Sequence, residues 1–155
     1  MLLVDIQGFT VPGFVLKELA VTNGRRTAHY VFRAPHPYTQ LGEKEKRQVR
    51  WVEKFHHGIR WNTGFTSLKE LPCILQRVTF GESIIYCKGL LKVNFLKKYL
   101  PDRIKVYNIE NDVQFSLKHY IVEPPCFAHD LSTCFCAITT INVMQKYLYN
   151  KQVLI

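Results

Sequence analysis

No stretch of this sequence approaches the ~20 consecutive apolar residues of a membrane-spanning helix, so no helical membrane span is expected. The opening residues, MLLVDIQGF, lack a basic segment ahead of their apolar run, and Asp5 interrupts that run, which argues against a secretory signal and for an intracellular setting in cytoplasm or nucleus. Gly/Ser-rich, proline-rich and single-residue tracts are missing, as are internal repeats, so linkers and repeat arrays are not expected. The 155 residues have the length of one ordinary domain, taken as 1–155, and its composition is that of a folded protein.

Acid is also scarce. Twelve Asp and Glu stand against 21 Lys and Arg, a formal charge of +9. Such an imbalance favours a polyanionic partner, nucleic acid before any membrane. Five cysteines, an odd number, in a reducing compartment point to thiols or metal ligands rather than disulfides.

The pattern of elements is mixed. MLLVDIQGF and FVLKELAVT (14–22) read as strands, joined through an Asn23-Gly24 two-residue turn to a third strand at 27–34. Residues 42–55 carry Val49, Val52 and Phe55 on one stripe and read as an amphipathic helix. His56-His57-Gly58 reads as its C-terminal cap. Ser67 and Glu70 form a capping-box pattern for a second helix near 68–79, provided Pro72 lies in its first turn. A strand at 83–89, a helix at 90–100 and a strand at 103–109 describe a parallel crossover, and 135–149 a final helix. Three strands, two helices, then strand, helix, strand, helix describe an α/β fold, a mixed sheet flanked by helices.

The densest chemistry lies in PPCFAHDLSTCFCA (124–137). Cys126-x2-His129 has the spacing at which one turn can aim a sulfur and an imidazole at a single zinc ion, and Cys134 or Cys136 could add a third ligand. The fourth must come from a distant segment, because no second Cys-x2-Cys or His-x3-His pair exists. A buried cysteine cluster without metal is the competing reading.

The strand order also suggests exonucleases of the ribonuclease H-like class, whose Asp-Glu-Asp-Asp-His centre holds two divalent metals. Here Asp5 stands on the first strand, but Gln7 occupies the place of the second carboxylate. YCKGLLKVNF offers Lys88 and Lys92 and no acid, and Cys134 follows His129 where an Asp would be required. One carboxylate cannot hold two metals, so no catalytic set is assigned.

LKELAV, IIYCKGLLKVNFLKKYLP and CFAHDLSTCFCAITTINVMQKYL together resemble the Maelstrom domain, along nearly the whole chain. That resemblance implies a ribonuclease H-like fold of the DEDD exonuclease type, with a degenerate catalytic centre and a structural zinc held by Glu, Cys, His and Cys. Those ligands fall on Glu18, Cys126, His129 and Cys136, with Cys134 a competitor for the last place because the loop after His129 is shorter than the family's. It further implies a setting among the proteins of small-RNA silencing of mobile elements, and single-stranded RNA is the partner expected. Arg25, Arg26, Arg47, Arg50, Lys88 and Lys92 are the cations expected to meet phosphates, interleaved with Tyr30, Trp51, Trp61 and Tyr99 as rings for bases. Metal-independent RNA cleavage by basic residues and a histidine, and a scaffold meeting an acidic protein, are the alternatives.

Overall fold

The computed structural model describes residues 1–117, 124–130 and 135–151. Strands β1 (Leu2–Thr10), β2 (Phe14–Thr22) and β3 (Thr27–Val31) form an antiparallel meander, followed by helices α1 (Glu43–Phe55) and α2 (Leu71–Val78). Then come β4 (Ile84–Cys87), α3 (Leu90–Lys97), β5 (Lys105–Asn108) and α4 (Ala137–Asn150). The strands make one five-stranded sheet in the order β3-β2-β1-β4-β5, with β4 parallel to β1 and β5 parallel to β4. The chain is therefore α/β, with a mixed sheet between helices. No helix among the described residues is long and apolar enough to cross a membrane.

Side chains alternate across β1, as a pleated strand requires. Val4 and Ile6 pack with Leu19, Val21 and Ile85 against Ile74 and Leu75 of α2 and Val93 and Leu96 of α3. Leu3 and Ala20 face Ile141, Met144 and Leu148 of α4 on the other side. Beyond the bulge in β2, Phe9 and Val11 form a third cluster with Val49 of α1 and with Trp61. The α2 entry follows the capping box: Ser67 accepts from the Lys69 amide at 3.3 Å, Glu70 accepts from the Ser67 amide at 3.2 Å, and Pro72 lies in the first turn.

Three local expectations change. The β2–β3 connection is a four-residue loop, Asn23–Arg26, because Thr22 pairs with Thr27. Asn23 serves it through its side chain, whose carbonyl accepts the amides of Arg25 and Arg26 at 2.9 and 2.8 Å. The third strand stops at Val31, short of the expected 34. Of the α1 stripe only Val49 is buried; Val52 is half-buried and Phe55 exposed, since α1 covers the end of the sheet rather than its face.

Register explains the site. Gln7 pairs with Glu18 but Gly8 pairs with Leu16, so Lys17 is the extra residue of a β-bulge. Both Lys17 and Glu18 are consequently buried side by side in mid-strand. Lys17 donates to the Trp61 carbonyl at 2.8 Å and to that of Thr63, anchoring the loop after α1. Burial lowers its pKa to about 8, with Glu53 acting in the opposite sense.

Candidate metal centre and adjoining cleft

The loop after α1 is the platform for the cysteine-rich segment. His57 donates from Nε2 to the Gly8 carbonyl at 3.0 Å, and its Nδ1 accepts the Ile59 amide at 3.0 Å. Both ring nitrogens are occupied, so His57 is a neutral strut, and burial holds its pKa down at about 3 against the Gly8 bond. Two residues beyond the helix cap, which is His56, whose amide bonds the Val52 carbonyl, Gly58 takes the left-handed conformation at φ 69°. Its carbonyl accepts the Asp130 amide at 2.8 Å, and the His56 carbonyl accepts the Phe135 amide at 3.1 Å. Two residues that follow the Cys126–His129 turn, Asp130 and Phe135, are thereby held to the loop after α1.

Within that turn the His129 amide bonds to the Cys126 carbonyl at 3.3 Å, which brings the two side chains to one side. His129 Nδ1 donates to the His57 carbonyl, leaving Nε2 as the metal-facing nitrogen. Nε2 lies 2.9 Å from Glu18 Oε2, with both side chains wholly buried. Apart from this contact, neither atom has a hydrogen-bond partner among the described residues. Cys136 Sγ and Cys126 Sγ lie 3.5 and 3.9 Å from Glu18 Oε1. The ligand atoms of Glu18, Cys126, His129 and Cys136 all fall within 4.8 Å of one another.

This arrangement fits a zinc ion. Bonds of about 2.0 Å to N and O and 2.3 Å to S in a tetrahedron put ligands roughly 3.3–3.8 Å apart, near the observed separations. The buried Glu18 carboxylate and His129 imidazole face each other at 2.9 Å, and a metal ion bound between them would take the place of the imidazole proton that otherwise satisfies both. Burial alone would raise the pKa of Glu18, but hydrogen bonds and charge from His129 and His29 hold it at about 2. Cys136 is lowered to about 4, first by its bond from Cys126, which favours the thiolate form that a metal ligand needs. The geometry brings the four expected ligands together; Cys134 lies outside the described residues.

His29 is the residue that sequence reasoning missed. It stands on β3 opposite Ala20, and its Nε2 lies 3.2 Å from Glu18 Oε1 and 3.8 Å from Cys126 Sγ. The signal was present: two- and four-residue hairpin loops alike place His29 on the face of Glu18, because they differ by an even register shift. The first amide of α4, Ala137 N, also donates to Glu18 Oε1, at 3.0 Å, so a carboxylate meets a helix N-terminus.

Beside this centre, the sheet end carries the residues of the second expectation. Asp5 is fully buried and accepts from Lys92 at 2.7 Å and from Gln7 at 3.0 Å. Lys88 pairs with Glu110 at 3.1 Å. Burial raises the pKa of Asp5, with Lys92 and Gln7 pulling it back. Lys88 and Lys92 thus line one cleft, but each already has a carboxylate partner. The cleft has a volume of 620 Å³ and runs between α1 and the start of α3. Arg47 and Arg50 are exposed on α1, whereas Arg25 and Arg26 sit on the β2–β3 loop. That loop lies at the end of the sheet where β1 begins, opposite the cleft over Gln7 and Gly8. The six cations do not form one face. Of the expected aromatics, Trp51 is exposed in the cleft, while Trp61 is buried with its Nε1 donating to the His36 carbonyl at 2.8 Å.

Comparison with protein families, curated proteins and solved structures finds no match for this chain.

Proposed function

We propose that this chain is a zinc-stabilised module that binds single-stranded nucleic acid, RNA foremost, on a ribonuclease H-like exonuclease fold whose catalytic centre is degenerate. The observation that carries this reading is the closed triad of Asp5, Gln7 and Lys92. A carboxylate that would hold a catalytic metal is bonded instead to an amide and an ammonium. Lys92 supplies in covalent form the positive charge that a divalent ion supplies in a two-metal phosphodiesterase. The strand order β3-β2-β1-β4-β5, with its antiparallel meander and parallel crossover, supports the fold assignment. The net charge of +9 supports the choice of partner.

Zinc at Glu18, Cys126, His129 and Cys136 would tie β2 to the N-terminus of α4 and to the loop after α1. The chemistry it supplies there is cross-linking, because four protein ligands leave no open position for substrate. A place among the proteins of small-RNA silencing belongs to the same proposal and rests on the sequence resemblance.

The test is fluorescence anisotropy of a labelled single-stranded decaribonucleotide with purified protein, in magnesium and in EDTA, followed by a denaturing gel. Binding that weakens with salt, survives brief EDTA and leaves the RNA at full length is the expected result. Shortened RNA would replace the reading with a metal-independent nuclease. No binding at low salt would replace it with a protein scaffold.

A further inference from the structure

We infer that the cleft between α1 and α3 seats an unpaired nucleobase stacked on Trp51, with the flanking phosphates held by Arg47 and Lys98 on its rims. The inference rests on the nucleic-acid reading above and names the part of the surface that performs it.

Trp51 is 58% exposed, an unusual state for the largest side chain, and it borders the cleft together with Leu90, Leu91 and Phe135, which are exposed too. His56 stacks on Phe135 at 4.5 Å with 29° between the rings, extending the flat wall. Burial and the nearby Lys92 and Lys88 lower the His56 pKa, so it is an uncharged ring at neutral pH. A second depression of 460 Å³ shares Thr10, Phe14, Leu90 and Leu91 with the first and ends at Lys98. The two make one groove. Arg47 stands one turn before Trp51 on the same edge of α1 and is exposed.

The charges decide what lies where. On the cleft floor Lys92 is neutralised by Asp5 and Lys88 by Glu110. A phosphate placed there would have to displace a carboxylate from each lysine, and it would meet a largely apolar wall. Planar, weakly hydrated bases suit that wall, with the exposed Gln48 available as an amide donor and acceptor. Arg47 and Lys98, at the two ends, are the cations left to a backbone that follows the groove. Duplex bases are stacked on one another and cannot enter, so the groove selects unpaired strands.

Trp51 is a built-in reporter, because Trp61 is buried and shielded from ligand. Adding the single-stranded decaribonucleotide should quench tryptophan fluorescence along the same isotherm as the anisotropy change, and a duplex of that sequence should not. Trp51→Ala should weaken binding about tenfold at every salt concentration, the loss of one base stack, while Trp51→Phe retains most of the affinity. Arg47→Ala with Lys98→Ala should flatten the dependence of log affinity on log salt by about 1.5. All three positions are exposed, and the zinc content and melting temperature of each variant report that it is folded. Binding with no quench, and with unchanged affinity in Trp51→Ala, overturns the groove assignment while the nucleic-acid reading stands. No RNA binding by the unaltered protein overturns both.

Discussion

At the scale of single residues, the most informative contact is the one between Lys92 and Asp5, because it shows how a wholly buried carboxylate is held. Buried wholly, Asp5 would be neutral without help; Lys92 and Gln7 reduce that tendency, yet its pKa remains above the ordinary value. The folded chain therefore holds the Asp5 proton more tightly than the unfolded chain does. Below about pH 4, where both states are protonated, burial of Asp5 carries no ionisation penalty; as pH rises through the folded pKa, the penalty accumulates. Lys92→Met removes the partner and raises that pKa further. The variant should lose about 3 kcal/mol at pH 7, as when one member of a buried pair is removed, and this deficit should shrink toward pH 4. Urea titrations at both pH values check it; an equal deficit at each would show that lost packing of the lysine stem, not the charge, is responsible. The same scale bears on the residues proposed to hold zinc. His129 is raised to about 10, because its bonds to Cys136 and Glu18 outweigh burial, and Cys126 is also raised. Zinc must then displace a proton from each, so calorimetric titration of metal-free protein at pH 7 in buffers of different ionisation enthalpy should register proton release.

At the scale of elements, the four-ligand cluster adds a cross-link between pieces that the core already packs together. Glu18 comes from β2, Cys126 and His129 from a turn docked on the loop after α1, and Cys136 from the cap of α4. Removing the metal should release the turn and the first turn of α4 while β1 and β2, paired along their length, stay protected. Hydrogen exchange with and without chelator measures this, with Cys136→Ser expected to match the chelated protein. The bulge that buries Glu18 depends in turn on Gly8, where an added Cβ would stand 2.1 Å from the Val15 carbonyl oxygen. Gly8→Ala should cost roughly 1–3 kcal/mol and lower the zinc content of purified protein along with it. Much at this scale was legible in the sequence. The capping box, the proline in the first turn of α2 and the crossover at 83–109 are local chemistry, and local chemistry survives folding. The bulge was not legible, because an extra residue in β2 changes no propensity. It appears only when Gly8 meets Val15 across the strands. The exposure of Phe55 was hidden for a similar reason: an amphipathic stripe looks the same whether all of it faces a core or part of it faces solvent.

At the scale of the whole molecule, charge and topology separate two questions that composition had merged. A charge of +9 predicts attraction to polyanions but not a place for them. The register places Arg25 and Arg26 at the end of the sheet where β1 begins, and the cleft at the other. The local Cys126-x2-His129 pair was visible by spacing, whereas Glu18, 108 positions from Cys126, could be assigned only through resemblance. The cations offered no such pattern, so sequence could name them without grouping them. The grouping makes a prediction that composition cannot. Replacing Arg25 and Arg26 with Ala removes the same charge as replacing Arg47 and Lys98, and long-range steering should suffer alike, slowing association at low salt in both variants. Contacts differ. Near physiological salt, where exposed charges are screened beyond about 8 Å, the Arg25/Arg26 variant should bind the decaribonucleotide with unchanged affinity, and the Arg47/Lys98 variant should dissociate faster. Stopped-flow association and dissociation rates at two salt concentrations separate the cases. Equal dissociation rates in the two variants would mean that the strand is held by net charge and not by a groove.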